Sequence, residues 1–108
     1  MKSKLLIFII TYKASFRVLE VFKKLPFYYL KQYNYTIYIS DDASKDDTIH
    51  YIKQLKNKCL KKIVLNENKL NLGYGGNIKK CIRYAYQNNF KYAVMIHGDN
   101  QYNPRYME

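Results

Sequence analysis

One uninterrupted apolar stretch constrains the fold more than any other feature of this sequence. Residues 4–11 read Lys-Leu-Leu-Ile-Phe-Ile-Ile-Thr, without the polar residues at alternate positions that a half-exposed strand carries. A continuous run of this kind is typical of a strand buried on both faces, as in a parallel sheet. It is also far shorter than the roughly 18 apolar residues that a membrane-spanning helix needs. We therefore predict a core strand here.

Three further apolar runs alternate with segments of helical periodicity. The runs are residues 36–39, 62–65 and 92–96, and the helical segments are about 15–25, about 45–56 and the stretch that opens at 73. Strands that alternate with helices predict an α/β fold with right-handed crossovers. We expect an open, Rossmann-like parallel sheet of strand order 3-2-1-4 with helices on both faces, in which residues 92–96 are a buried strand.

Short polar residues mark the expected helix starts. Ser15 is the predicted N-cap of the first helix. Ser44, with Asp47 three residues on, resembles a capping box for the second, which would place Asp47 in the first helical turn. Asn103 and Pro104 predict the start of a last helix.

Length and charge bound the class of protein. The 108 residues fit one small domain, and 19 basic against 8 acidic side chains give a net charge of +11, which favours anionic partners. Only three of the basic residues are arginine, although base-edge and phosphate recognition relies on arginine forks. The lysine-rich composition is therefore more typical of an A/T-rich genome than of specific nucleic-acid binding. Cys59 and Cys81 form no Cys-x-x-Cys pair, which favours two reduced thiols in a cytosolic protein.

Polar residues follow three of the predicted strands. With strand one at the centre of the sheet, the carboxyl ends of strands one, two and four lie side by side at the topological switch point, where open α/β sheets bind ligands. The residues at these ends are Thr11 and Tyr12, then Asp41 and Asp42, and then Asp99 and Gln101. Turns that only connect strands to helices would not be expected to place such residues at neighbouring strand ends.

The residues after the fourth run are candidates for a metal site. Asp99 offers a carboxylate and Gln101 an amide oxygen, and such hard oxygen ligands favour Mg²⁺ or Mn²⁺ over zinc. The alternative is a plain turn in which Asp99 bonds its own backbone.

The positions of the glycines exclude two kinds of nucleotide site but do not identify the ligand. The turn after strand one lacks glycine, so the dinucleotide fingerprint is absent, and no Gly-Lys-Ser/Thr forms a P-loop. Gly73, Gly75 and Gly76 follow strand three instead. They either let the backbone approach a phosphate or sugar, or serve turn geometry alone.

Four segments in order resemble family 2 glycosyltransferases, and among them the dolichol-phosphate mannose synthase-like members. They are Ile-Ile-Thr-Tyr at 9–12, Ser-Asp-Asp-Ala-Ser at 40–44, Asn-Leu-Gly-Tyr-Gly-Gly-Asn at 71–77 and His-Gly-Asp-Asn-Gln at 97–101. The resemblance implies the N-terminal, nucleotide-binding part of a GT-A type domain over residues 1–108. It also implies an inverting, metal-dependent transferase that moves a sugar from a nucleotide-diphospho-sugar to a polyprenyl-phosphate or saccharide acceptor.

The resemblance also assigns roles to residues. Asp42 would contact the nucleobase with Tyr12 packed beside it, while Asp99 and Gln101 would hold Mg²⁺ or Mn²⁺ on the diphosphate. The nucleotide-binding residues that it implies are Thr11, Tyr12, Asp41, Asp42, Gly73, His97 and Gly98.

Two departures from the family pattern matter. His97 stands where the first Asp of the D-x-D motif is usual, and it either contacts the ribose or phosphate or fills a strand end. In the family, the acceptor-side half with the catalytic base follows D-x-D, so we expect that base beyond Glu108 and no complete transfer by these residues alone.

We expect a cytoplasmic protein, either free or peripherally bound at the inner face of the membrane. The alternatives are a non-catalytic nucleotide-binding fragment and a basic nucleic-acid-binding domain. A sugar-phosphate nucleotidyltransferase would need a Gly-rich, Arg- and Lys-bearing loop after strand one, which is absent.

Overall fold

The computed structural model describes residues 2–58 and 62–98. Strands and helices alternate along this part of the chain, with one extra helical turn, α2, after the first helix. The strands are β1 (Lys4–Thr11), β2 (Asn34–Asp41), β3 (Ile63–Glu67) and β4 (Tyr92–His97), and the helices are α1 (Arg17–Lys23), α2 (Phe27–Leu30), α3 (Thr48–Lys58) and α4 (Gly73–Gln87). The helix predicted to start at Asn103 lies outside the described residues.

The four strands form one parallel sheet in the order β3-β2-β1-β4, as the sequence predicted. Thr11 pairs with Asp41 and Ile10 pairs with His97, so the carboxyl ends of β1, β2 and β4 lie level with one another. The register therefore brings Thr11, Asp41 and His97, the last residues of β1, β2 and β4, to the same end of the sheet. The predicted open, Rossmann-like parallel sheet is confirmed.

Both faces of β1 are covered by helices, which explains its continuous apolar run. Leu5, Ile7 and Ile9 pack in one core cluster with Val18 and Val21 of α1, along with residues of α2 and α3. The alternate residues, Leu6, Phe8 and Ile10, pack on the opposite face with Cys81 and Ala85 of α4. Successive side chains of β1 point to opposite faces of the sheet and enter two different cores, so the strand must be apolar at every position.

The expectation that β4 is buried was wrong for most of the strand. Tyr92, Ala93 and Met95 are exposed, and Ile96 is buried. The reason is position, since β4 is an edge strand within the described residues and only its β1 side is paired. An apolar run cannot by itself distinguish a central strand from an edge strand.

Two predicted helix caps were also wrong. Ser15 has a left-handed φ of 54°, and α1 begins two residues later, after Phe16. Helix α3 begins at Thr48 rather than near Lys45, because Asp46 Oδ1 accepts the Thr48 N–H at 2.9 Å. Ser44 instead bonds to Asp41. None of the helices in the described ranges has both the length and the apolarity to cross a bilayer.

Candidate functional site

A cleft of about 370 Å³ opens where the ends of β1, β2 and β4 meet the start of α4. It contains six of the seven residues predicted to bind a nucleotide, and it adds two asparagines, a tyrosine and an isoleucine to them. The lining residues are Ile10, Thr11, Tyr12, Asp42, Asn71, Gly73, Tyr74, Asn77, His97 and Gly98. Asp99 and Gln101, the predicted metal ligands, lie outside the described residues.

Asp41 is the one predicted nucleotide-binding residue in the described ranges that does not line this cleft. Its side chain is fully buried, and Oδ1 accepts hydrogen bonds from Thr11 Oγ1 at 2.7 Å and Ser44 Oγ at 2.6 Å. The second oxygen, Oδ2, accepts the Ser44 N–H at 3.0 Å. The Asp41 carboxylate therefore ties the end of β1 to the loop after β2.

The loops after β1 and β2 are locked to each other in an unusual backbone conformation. Lys13 and Ser15 in the first loop, and Ala43 and Lys45 in the second, all have φ between 53° and 60°. Left-handed backbone is uncommon for residues other than glycine, and it persists where surrounding contacts fix it. Here Lys13 N–H donates to Ser44 Oγ at 2.7 Å, and Ser15 N–H donates to Thr48 Oγ1 at 2.9 Å.

Asp42 lines the cleft, is almost fully buried and is held on several sides. Its N–H donates to the Thr11 carbonyl at 2.9 Å, and its own carbonyl accepts from Asn71 Nδ2 at 3.1 Å. Carboxylate Oδ1 accepts from Leu72 N–H at 2.7 Å and from Asn68 Nδ2 at 3.0 Å. Within the described part of the chain, both hydrogen bonds to this carboxylate fall on Oδ1.

A buried cluster of polar side chains backs Asp42. Asn68 and Asn77 are almost fully buried, and Asn68 Nδ2 donates to Asn77 Oδ1 at 3.2 Å. Ser40 Oγ also donates to Asn77 Oδ1, at 2.6 Å, while Asn77 Nδ2 donates to the Ser40 carbonyl at 3.0 Å. Buried amides are costly unless they are hydrogen-bonded, so this cluster fixes a single arrangement of the strand end and α4.

An aromatic pair forms one wall of the cleft. The rings of Tyr74 and His97 are stacked, with centroids 5.5 Å apart and planes 11° apart. The Tyr74 hydroxyl lies 3.3 Å from His97 Nε2. His97 thus lines the cleft together with Tyr74.

The two glycines of the predicted site have local reasons to be glycine. A Cβ on Gly98 would lie 2.4 Å from Thr11 Cγ2 and 2.9 Å from the Ile10 carbonyl oxygen, which are distances that no real Cβ tolerates. Gly73 has φ of 78°, in the left-handed region that favours glycine. Turn geometry thus accounts for Gly73, whereas Gly98 lets β4 approach the end of β1 closely.

Three side chains outside the lining of the cleft have shifted pKa values. Burial raises the pKa of the Cys81 thiol to about 11, although the Ser40 hydroxyl and Lys80 oppose the shift. Burial likewise raises the pKa of Tyr38 to about 12. At Asp46, partial burial would raise the pKa, but hydrogen bonds from Thr48 and the charge of Lys13 lower it overall.

A metal site does not arise from the described residues alone. Residues 2–58 and 62–98 contain no group of three or more His, Cys, Asp or Glu side chains suited to hold a metal ion. Asp41 is occupied by the loop contacts above, and His97 contacts Tyr74. The fit to Mg²⁺ or Mn²⁺ therefore depends on Asp99 and Gln101, whose oxygen donors are of the right type.

Several residues of the site were not identified as functional from the sequence. Tyr74 carried no signal beyond its place in the glycine-rich motif, and the buried asparagines Asn68 and Asn77 were assigned no role. A cluster of Asn66, Asn68, Asn71 and Asn77 within 12 residues of each other was the available signal, because amides placed around a strand end need partners.

Comparisons with solved structures support the fold. S. aureus TarS 1–349 superimposes with a TM-score of 0.67 at 19% sequence identity, over 96% of this chain and 30% of that chain. The same fragment of TarS has been solved in complex with UDP, which superimposes with a TM-score of 0.66 at 19% identity over the same shares. A complex with UDP-GlcNAc gives 0.66 at 17% identity, over 96% of this chain and 29% of that one. At these identities the likeness establishes the fold.

Comparisons of sequence establish the family. The uncharacterized protein MJ0544 of Methanocaldococcus jannaschii is 33% identical over 67 residues, which cover 61% of this chain and 29% of that protein. This chain thus spans less than a third of the length of the relatives that it matches. The model of the family described as "Glycosyl transferase family 2" matches residues 6–108. Because that match covers nearly the whole chain, this chain belongs to glycosyl transferase family 2.

Proposed function

We propose that the cleft binds the nucleotide of a nucleotide-diphospho-sugar, and that this chain is the donor-binding part of an inverting, metal-dependent glycosyltransferase. The observation that carries the proposal is the position of Asp42. Asp42 lines the cleft, and both hydrogen bonds to its carboxylate within the described residues go to Oδ1. The other oxygen, Oδ2, is then the one that a ligand engages.

A nucleobase with a ring N–H is the partner that suits this oxygen. A carboxylate oxygen only accepts hydrogen bonds, so it favours uracil, which has an N–H at position 3, over cytosine, which has a bare acceptor there. The complexes of TarS with UDP and UDP-GlcNAc support a uridine nucleotide. Tyr12 is half exposed at the rim of the cleft, and its ring offers a stacking surface for the base.

The opposite wall suits the rest of the donor. Tyr74 and His97 offer a hydroxyl and a ring nitrogen to the ribose or a phosphate, and they lie on the side of the cleft from which the chain leads to Asp99. Asp99 and Gln101 would hold the Mg²⁺ or Mn²⁺. When bound, the cation would neutralise charge on the departing nucleoside diphosphate.

The later steps of transfer belong to residues outside the described ranges. We propose that the sugar passes with inversion to a hydroxyl or phosphate of a saccharide or polyprenyl-phosphate acceptor, and that the general base lies beyond Glu108. We also propose that the product is a cell-envelope polysaccharide or glycolipid, made at the cytoplasmic face of a membrane with peripheral association; the family match supports the transfer of a sugar. A non-catalytic nucleotide-binding fragment would share the donor cleft and lack this step.

Calorimetric titration of UDP and CDP in the presence of Mn²⁺ tests the proposal. The protein should bind UDP more tightly than CDP. Asp42→Asn keeps an oxygen for Leu72 N–H and Asn68 Nδ2, but it replaces Oδ2 with an NH₂ donor. UDP affinity should fall by about tenfold or more, since a hydrogen bond to a charged group contributes roughly 1.5–3 kcal/mol. CDP affinity should rise. Equal binding of both nucleotides by wild type and variant would show that Asp42 does not contact the base.

A further inference from the structure

Asn68 uses every hydrogen-bonding position of its side chain. Nδ2 donates to Asp42 Oδ1 at 3.0 Å and to Asn77 Oδ1 at 3.2 Å, while Oδ1 accepts from Asn66 Nδ2 and from Lys80 Nζ, each at 2.8 Å. An amide has two donors and two acceptor sites, so none remains for another partner. The side chain is almost fully buried. Asn68 therefore does not reach the ligand itself.

Lys80 and the Asp42 carboxylate both fix which way this amide points. An ammonium group only donates hydrogen bonds, so its 2.8 Å contact must be to the amide oxygen. The NH₂ group is then directed at Asp42 and Asn77. Without Lys80, Asn66 is the one remaining donor to Oδ1 in the described part of the chain.

The orientation of the Asn68 amide determines whether its NH₂ group can donate a hydrogen bond to Asp42 Oδ1. The Asn68 amide and the Leu72 N–H together direct two donors at Oδ1. A carboxylate held by two donors on one oxygen loses rotational freedom, and the other oxygen becomes a fixed acceptor. A flipped amide would place its oxygen against Asp42 Oδ1 and repel it.

We infer that Asn68, oriented by Lys80, is a positioning residue that fixes the Asp42 carboxylate and thereby sets the preference for a base with a ring N–H. This inference rests on the proposed function, because it assumes that Asp42 reads the base. Lys80 lies on the exposed side of α4 and does not line the cleft. Its action on base selection is thus transmitted through the amide.

Two substitutions distinguish a role in positioning the Asp42 carboxylate from a general effect of charge or stability. Asn68→Asp keeps the shape of the side chain but replaces the donor that faces Asp42 with an oxygen. Lys80→Met removes the ammonium while keeping much of the apolar stem. Lys79→Met is the matched control, because Lys79 is the exposed neighbour on the same helix and loses the same charge. Lys80→Arg should keep the wild-type preference between the two nucleotides, since the guanidinium also only donates hydrogen bonds.

The readout is the ratio of CDP to UDP dissociation constants, measured by calorimetry with Mn²⁺, alongside the thermal midpoint of each variant. A loss of charge weakens both nucleotides alike through their shared diphosphate and leaves the ratio unchanged. We expect the ratio to fall by about tenfold in Asn68→Asp, the scale of one charged hydrogen bond. It should fall by about threefold in Lys80→Met, because Asn66 still holds the amide. Lys79→Met and Lys80→Arg should retain the wild-type ratio.

The outcomes are distinct. If wild type binds no nucleoside diphosphate, the proposed function fails and the inference fails with it. If wild type prefers UDP and the ratio in Lys80→Met and Asn68→Asp is unchanged, the inference alone is overturned. Lys80→Met changes an exposed residue and should fold even if Asn68→Asp does not, so it decides the matter by itself.

Discussion

Gly98→Ala tests the close approach of β4 to β1 that shapes the cleft. The added Cβ would lie 2.4 Å from Thr11 Cγ2 and 2.9 Å from the Ile10 carbonyl oxygen. Thr11 cannot move away freely, because it is buried and its hydroxyl donates to Asp41 at 2.7 Å. The Gly98 N–H also donates to the Ile10 carbonyl at 2.8 Å, so displacing the glycine weakens the end of the β1–β4 pairing.

The cost has two sources. Overpacking of a well-packed site costs about 1–3 kcal/mol. Loss of the Thr11 hydrogen bond to the Asp41 carboxylate would add up to about 1.5–3 kcal/mol. Because relaxation of one relieves part of the other, we expect a total loss of about 2–4 kcal/mol. In a domain of this size that lowers the thermal midpoint by about 10–20 °C.

Thermal and urea denaturation, followed by circular dichroism, measure this loss. Gly75→Ala is the control, since a Cβ there meets nothing within 4 Å and the residue is helical. It should stabilise the protein by about 0.5–1 kcal/mol. In a Thr11→Ser background, which lacks Cγ2 but keeps the hydroxyl, Gly98→Ala should cost at least about 1 kcal/mol less. If Gly98→Ala is as stable as Gly75→Ala, the close approach is not real.

Three further predictions concern metal, pH and nucleic acid. Asp99→Asn should abolish the enhancement of UDP binding by Mn²⁺, because an amide lacks the charge that a hard cation favours; equal enhancement in calorimetry would rule out Asp99 as a ligand. Unfolding free energy should fall as pH rises from 9 towards 11, because burial raises the Cys81 pKa from 9.0 to about 11 and the unfolded thiol therefore ionises first. Urea titrations of Cys81→Ala should show a smaller fall over that interval. Binding to DNA or RNA on a column should be sequence-independent and lost between low and physiological salt, and salt-resistant, selective retention would contradict this.

The sheet could be predicted from the sequence because periodicity and chain connectivity carry the necessary information. The continuous run at 4–11 requires two covered faces, and β-α alternation fixes parallel strands with right-handed crossovers. The edge position of β4 could not be read from its composition. Helix starts were misplaced because Ser44 bonds to Asp41 and the Ser15 N–H donates to Thr48, and the partner of each of these groups depends on the facing loop.

The candidate site was predictable to the level of strand ends. Thr11, Tyr12, Asp42 and His97 meet at the cleft because register aligns the ends of their strands. Adjacent residues at a strand end point to opposite faces, which explains why Asp42 lines the cleft and Asp41 does not. The support behind Asp42 could not be foreseen, because contacts such as that of Lys80 with Asn68 span 12 residues and depend on where α4 packs.

A map of where a nucleotide binds tests the proposed site most directly. We propose to titrate ¹⁵N-labelled protein with UDP and Mn²⁺ and to follow the backbone amide resonances. The shifts should cluster at Tyr12, Asp42, Asn71 and Gly98, around the carboxyl ends of the strands. Asn34 and Lys62, at the opposite end of the sheet, should be unaffected. Shifts centred on those two residues, or no shifts at saturating UDP, would show that this cleft is not a nucleotide site.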